Sequence, residues 1–131
     1  MKTAKKKKIL IIDDNDDTLD LLEIFLYKKY DVITAHNGFD GIKNAHEEAP
    51  DCIITDIMMP VMNGIKFFNN LKKNDTLAHI PVIAITSFIK KMNTKSLMNI
   101  GFSDVISKPL QLKTVINKVQ KVMEAATDHA R

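Results

Sequence analysis

The sequence contains one cysteine, Cys52, so no intramolecular disulfide can form. Cys52 sits in an apolar run, where a free thiol packs as a small hydrophobe. No apolar run approaches the roughly 20 residues that a membrane-spanning helix needs, and the lysines near the amino terminus are not followed by the apolar core of a signal peptide. These absences predict a cytoplasmic location with no membrane contact. Internal repeats are absent, as is any low-complexity segment beyond the lysine run. With 131 residues there is no room for a second folded domain, and a single domain of this size buries a core without staples.

The composition is that of a globular chain, 45% hydrophobic and 27% charged, rather than a disordered one. The net charge of +3 hints at nucleic acid until its source is located. Lys2, Lys5, Lys6, Lys7 and Lys8 supply it, and without them the rest carries a formal −2. A solvated basic tail over residues 1–7 is the expectation, followed by one domain over 8–125 and a short tail over 126–131. No sequence-specific nucleic-acid partner is implied.

Short Val- and Ile-rich runs alternate with longer segments of helical period. Strands are predicted at 9–12, 30–35, 52–55, 82–86 and 105–107. Helices are predicted at 16–29, started by Asn15 or Asp16, and around Phe39, Ile42, Ala45 and Ala49, ending by Pro50. Three more follow. One opens near Gly64 with Ile65, Phe68 and Leu71; a weaker one spans 93–100 and is capped by Gly101; the last carries the stripe Leu112, Val115, Ile116, Val119 and Val122. Five βα units with near-continuous apolar strands predict an α/β fold, a doubly wound five-stranded parallel sheet with helices on both faces. In such sheets ligand sites form at the carboxyl ends of the strands, where the strand order reverses.

The residues at those ends are Asp13 and Asp14, Asp56, Thr86 and Lys108. Three carboxylates crowded at one edge raise one another's pKa unless a cation joins them. Oxygen donors with no His or Cys beside them suit Mg²⁺, with Mn²⁺ as an alternative. A carboxylate can attack a phosphoryl group to give an acyl phosphate. Lys108 would then balance the transferred charge and the Thr86 hydroxyl would hydrogen-bond one of its oxygens. Taken singly, each residue has a bland alternative as turn former, helix cap or solvated loop residue. Their joint occurrence at four strand ends outweighs those alternatives.

The chain resembles a response-regulator receiver domain of two-component signalling, over residues 8–124. The resemblance rests on Ile-Leu-Ile-Ile-Asp-Asp at 9–14, the loop Asp56-Ile-Met-Met-Pro60 with Gly64 beyond, the strand ending at Thr86, and Lys108-Pro109. It implies a flavodoxin-like fold of strand order 2-1-3-4-5 with Asp56 as phosphoacceptor. It also implies that Asp14, Asp56 and the Met58 carbonyl hold the metal, that Asp13 holds a metal-bound water, and that Thr86 and Lys108 contact the phosphoryl group. A cis bond before Pro109 is implied as well. The donor would be a histidine kinase or a histidine phosphotransfer protein. Output would pass through the fourth helix, fifth strand and fifth helix, to a protein target or a second copy, with Lys113, Asn117, Gln120 and Lys121 able to contribute. Met58 and Phe88 fall on positions that tune how long the phosphoryl group lasts.

Two departures accompany the resemblance. Position 105, where an aromatic residue often swings with the threonine, is Val105. Position 63 is Asn63 where Asp is frequent, which reads as a loop change only. The rival readings are three. A haloacid-dehalogenase-like phosphatase fits Asp14-Asn15-Asp16-Asp17-Thr18 but lacks an acidic cluster after Lys108, where only Glu124 and Asp128 remain. A flavin-phosphate binder is opposed by Asp13 and Asp14. A phosphorylation-independent docking module is opposed by the retained acidic site.

Overall fold

Among the described residues, the alternation of apolar runs and amphipathic segments resolves into ten elements. The computed structural model describes residues 6–87 and 94–129, with side chains to residue 126. In order they are β1 (Lys8–Ile12), α1 (Asp16–Leu26), β2 (Asp31–Ala35), α2 (Gly38–Glu48), β3 (Cys52–Asp56), α3 (Gly64–Lys72), β4 (Val82–Thr86), α4 (Thr94–Ile100), β5 (Asp104–Ser107) and α5 (Leu112–His129). Phe88, Asn93 and residues 1–5 of the basic tail lie outside the described residues. The five strands are parallel in the order β2-β1-β3-β4-β5, the predicted arrangement.

Successive strand side chains point to opposite faces, so both faces of these apolar runs are buried. On one face Leu10, Ile12, Ile53, Ala84 and Val105 meet Phe67, Phe68, Leu71 and Leu97 from α3 and α4. On the other, Ile9, Ile11, Ile54, Ile83 and Ile85 meet Leu19, Leu22 and Leu26 of α1 and Val115 and Val119 of α5. Cys52 is fully buried in that second layer. Among the described residues no helix is long and apolar enough to cross a membrane.

Three helices begin alike. The side-chain oxygens of Asn15, Asn37 and Asn63 accept the N–H of Thr18, Asp40 and Lys66 at 3.0, 2.8 and 2.9 Å. Each thereby satisfies an orphan donor of its helix. Position 63 is therefore not a loop position alone; it caps α3, a role Asn and Asp fill equally well. At the other end of a helix, Gly101 (φ 128°) turns back its N–H to the Leu97 and Met98 carbonyls at 3.3 and 3.1 Å.

Several sequence expectations are corrected. α1 ends at Leu26, not 29, because the N–H groups of Lys29 and Tyr30 both fold back on the Leu26 carbonyl and Tyr30 is buried before β2 begins. Phe39 stands 59% exposed; α2 instead packs through Gly38, Gly41 and Ala45. A Cβ at Gly41 would press on Ile12 and Phe67, so this helix sits too close to the sheet for a large side chain. Leu112 is 48% exposed, and Met123 closes the α5 stripe in its place. α5 itself continues to His129, through the segment read as a tail from residue 126. At the start of the chain the Lys7 carbonyl already accepts the Asp31 N–H at 2.9 Å.

Strand register sets the level of every residue that follows. Ile12 pairs with Thr55 and with Ala35, Asp56 with Ile85, and Thr86 with Ser107. Asp13 and Asp56 therefore emerge side by side between β1 and β3, where the strand order reverses, and Lys108 emerges one residue beyond β5.

The start of α3 is the tightest joint beneath that edge. Replacing Asn63 by Ala should destabilise the fold by about 1 kcal/mol and by Asp hardly at all. A Cβ on Gly64 would lie 2.9 Å from Ile57 Cα and closer still to the Asp56 carbonyl, backbone that cannot step aside. Gly64→Ala should therefore lose about 2 kcal/mol or more in urea unfolding; a loss below that of Asn63→Ala would contradict this account of the joint.

Candidate functional site

Asp13 follows the last residue of β1 and is fully buried. Its Oδ1 accepts the Asn15 N–H at 2.9 Å, a local turn that also sets Asn15 to cap α1. Its Oδ2 is buried without a hydrogen-bond partner and lies 3.5 Å from Lys108 Nζ. Asp56 ends β3 and is 5% exposed. The Met58 N–H donates to its Oδ1 at 3.3 Å, and Oδ2 lies 3.8 Å from the same Lys108 amine. Asp14 is exposed beside them, and one carboxylate oxygen from each of Asp13, Asp14 and Asp56 falls within 4.8 Å of the others.

The structure thus brings four of the predicted residues together. Thr86 is buried at the end of β4, and its hydroxyl donates to the Ser87 carbonyl at 2.9 Å. Val105 is in the core, 3% exposed. The Met58 side chain is 63% exposed at the rim, and the Lys108–Pro109 bond is cis. The loop after Asp56 is closed by the Gly64 N–H on the Ile57 carbonyl at 3.0 Å and by a three-residue turn, Met62 N–H to Pro60 carbonyl, at 2.8 Å. Val61 takes φ 68° at its centre, an uncommon conformation for a β-branched residue. Sequence reasoning missed this turn and the Asp13–Asn15 contact. The second could have been read from Asp and Asn two residues apart.

Burial, more than repulsion, sets the electrostatics. It pushes the Asp13 carboxyl up from 3.8 to about 6, with the charges of Asp56 and Asp14 adding to it and the Asn15 N–H and Lys108 opposing it. Burial likewise raises Asp56, against the pull of Lys108 and the Met58 N–H. The expected mutual repulsion is present, Asp56 and Asp14 raising Asp13 and Asp14 raising Asp56, and burial adds the larger part. Among the described residues, three carboxylates face one ammonium, and one buried oxygen has no donor. That donor set, oxygen only, fits a hard divalent cation.

A proton binds Asp13 more tightly in the folded chain than in the unfolded one, so this group subtracts stability as pH rises from about 4 through about 6. Without divalent cations, Asp13→Asn should stabilise the chain at pH 7.5 by on the order of 2 kcal/mol, the gain fading towards pH 4. A variant equally or less stable than the wild type at both pH values would contradict the burial of a charged Asp13.

Residues 9–120 match the family model of the response regulator receiver domain. The polar-differentiation response regulator DivK of Brucella anthropi is 31% identical over 118 residues, covering 89% of this chain and 96% of that protein. The alkaline phosphatase synthesis transcriptional regulatory protein PhoP of Bacillus subtilis is 30% identical, covering 89% of this chain but 48% of its own length. The crystal structure of a response regulator from Desulfuromonas acetoxidans is similar with a TM-score of 0.83 at 29% identity, covering 91% of this chain and 98% of that one. Strand order, acidic edge and sequence relatives agree, and the chain belongs to the response regulator receiver domain family of two-component signalling, a signalling domain rather than a classical enzyme.

Proposed function

We propose that this chain is a phosphoacceptor switch in which Asp56 takes a phosphoryl group from a phosphohistidine of a histidine kinase or histidine phosphotransfer protein. The observation that carries the reading is Asp56 itself, a carboxylate 5% exposed at the strand-order reversal with a lysine amine 3.8 Å away and two further carboxylates beside it. An Asp56 oxygen forms the new bond to phosphorus as the nitrogen–phosphorus bond breaks, and the imidazole leaves with the electron pair. Asp14, Asp56 and the Met58 carbonyl would hold Mg²⁺ or Mn²⁺, with Asp13 holding a metal-bound water, and the ion would supply positive charge against the carboxylates and the phosphoryl oxygens.

Lys108 then exchanges its contacts with Asp13 and Asp56 for a phosphoryl oxygen. Thr86 gives up the Ser87 carbonyl to donate to another. Releasing that carbonyl changes the chain beyond β4, and this, rather than a swing of the small, buried Val105, carries the signal to a face formed by α4, β5 and α5. The protein works in the cytoplasm, and the receiving partner is a protein target or a second copy of the chain. Met58, at the rim of the site, and Phe88, which lies outside the described residues, fall on positions that the family resemblance gives to tuning attack by a hydrolytic water. Neither side chain can orient or deprotonate one, which favours a long-lived phosphorylated state.

Incubation with acetyl phosphate and Mg²⁺ should add one phosphoryl group by intact mass, and Asp56→Asn should remove it. An Asn variant modified as fully as the wild type overturns the assignment. In the unmodified protein millimolar-range Mg²⁺ should raise the thermal midpoint, because a ligand of the folded state stabilises it, and Asp14→Ala should weaken that response. A midpoint indifferent to Mg²⁺ counts against the metal set. Met58→Asn with Phe88→Glu should shorten the phosphorylated lifetime by more than about tenfold, roughly 1.4 kcal/mol of barrier; an unchanged decay after donor removal would place water access elsewhere.

A further inference from the structure

The amino ends of the strands, at the edge opposite the carboxylates, hold a cleft that the acceptor chemistry does not use. Its volume is about 780 Å³, within the range of small-molecule sites. Five strand steps from Pro81, which lines it, to Thr86 put it about 16 Å from the acceptor edge. Backbone hydrogen bonds fix its walls. The Asp31 N–H donates to the Lys7 carbonyl at 2.9 Å, the Ile53 N–H to the Pro81 carbonyl at 3.0 Å, and the Ser103 N–H to the Val82 carbonyl at 2.8 Å. Lys7, Pro81 and Ser103 all line the cleft, so the sheet itself holds it in shape.

Three lysines line it, Lys7, Lys72 and Lys121, with the exposed His79 beside them and two carboxylates, Asp51 and Asp104. Both acids are already satisfied. Asp51 Oδ2 accepts the Lys8 N–H at 2.8 Å, and Asp104 Oδ1 accepts the Val105 N–H at 2.7 Å and lies 3.2 Å from Lys118 Nζ. The lysines are not. Among the described residues no side-chain hydrogen bond or ion pair engages Lys7 or Lys121, and no carboxylate pairs with Lys72. Lys72 is half-buried. Its ammonium donates to the Ala78 and Ile80 carbonyls at 2.7 and 3.2 Å and stands 5.2 Å from the centre of the Phe68 ring. Two of its three N–H groups are thereby used, and its charge has dipoles around it but no counter-charge. Burial lowers its pKa accordingly. The apolar part of the lining includes Pro50, Val122 and Met123, continued along α5 by Ala125 and Ala126.

We infer that this cleft binds a small amphipathic anion, a singly charged oxyanion head on an apolar body. The head, a carboxylate, phosphodiester or sulfonate, sits among Lys7, Lys72 and Lys121. It accepts the remaining Lys72 N–H and supplies the counter-charge that this amine lacks. The body lies against Val122 and Met123, where its burial adds to the binding. Asp51 and Asp104 leave the three amines with one net positive charge, which matches a single negative head and disfavours a polyanion. The site is built by the fold alone and does not depend on the phosphoacceptor reading.

The test uses the full chain, isotope-labelled for NMR, titrated with 8-anilinonaphthalene-1-sulfonate and with N-phenyl-1-naphthylamine, which has the same rings and no sulfonate. The sulfonate should shift the amides of Asp51, Ser103, Val122 and Met123 and raise the pH at which the Lys72 side chain titrates. Lys7→Gln with Lys121→Gln should weaken it about tenfold, and added salt should weaken it as well. Ala126→Trp, which fills the cleft and leaves every charge in place, should abolish binding. Equal binding of the neutral probe overturns the inference, as do shifts centred on the acceptor edge or on α1. An unmoved Lys72 titration, or an Ala126→Trp chain that binds as tightly as the wild type, overturns it too.

Discussion

Two carboxylates buried, among the described residues, beside a single lysine amine are the constraint on which the rest of this structure turns. A lone buried carboxylate is strongly disfavoured in a folded protein, and it persists only when paired, hydrogen-bonded or protonated. Asp13 and Asp56 share the Lys108 amine, at 3.5 and 3.8 Å, and each accepts one backbone N–H. The arrangement is under-neutralised. Burial lifts both carboxyls above the ordinary range, and Asp13 Oδ2 is left with no donor. The folded chain therefore carries an electrostatic deficit at one edge that added positive charge relieves.

The fold makes that crowding unavoidable. Parallel register pairs Ile12 with Thr55, so the residues that follow β1 and complete β3 must face each other across the reversal in strand order. Around them the backbone is held without slack. Asn15 and Asn63 begin the helices on either side, and α3 approaches so near that a Cβ on Gly64 would meet the Asp56 carbonyl. α2 packs through glycine and alanine against Ile12 beneath the same edge. A rigid scaffold here keeps the two carboxylates from moving apart, which is the easiest way their repulsion could otherwise be relieved.

Most of this was legible in the sequence because it is local or periodic. The strand runs, the α1 stripe of Leu19, Leu22 and Leu26, and the Gly101 cap follow from spacing and residue type, and the strand order follows from the family resemblance. The acidic edge followed from one rule about where parallel strands end. What was not legible depends on distances between elements. Phe39 and Leu112 look like core residues by period, yet α2 is drawn in by its small face and α5 begins beyond the sheet, which leaves both exposed. Asn63 looked like a loop residue because its partner, the Lys66 N–H, exists only once α3 has formed. The ranking of burial above repulsion at Asp13 needs a measure of enclosure that no linear pattern contains.

The central claim is that among three neighbouring carboxylates it is Asp56 that takes the phosphoryl group. Borohydride reduction of the freshly phosphorylated chain converts an acyl phosphate into a stable homoserine, which peptide mass spectrometry locates. The account predicts homoserine at position 56 and intact aspartate at 13 and 14. Reduction at Asp13 or Asp14, with Asp56 unchanged, would contradict it.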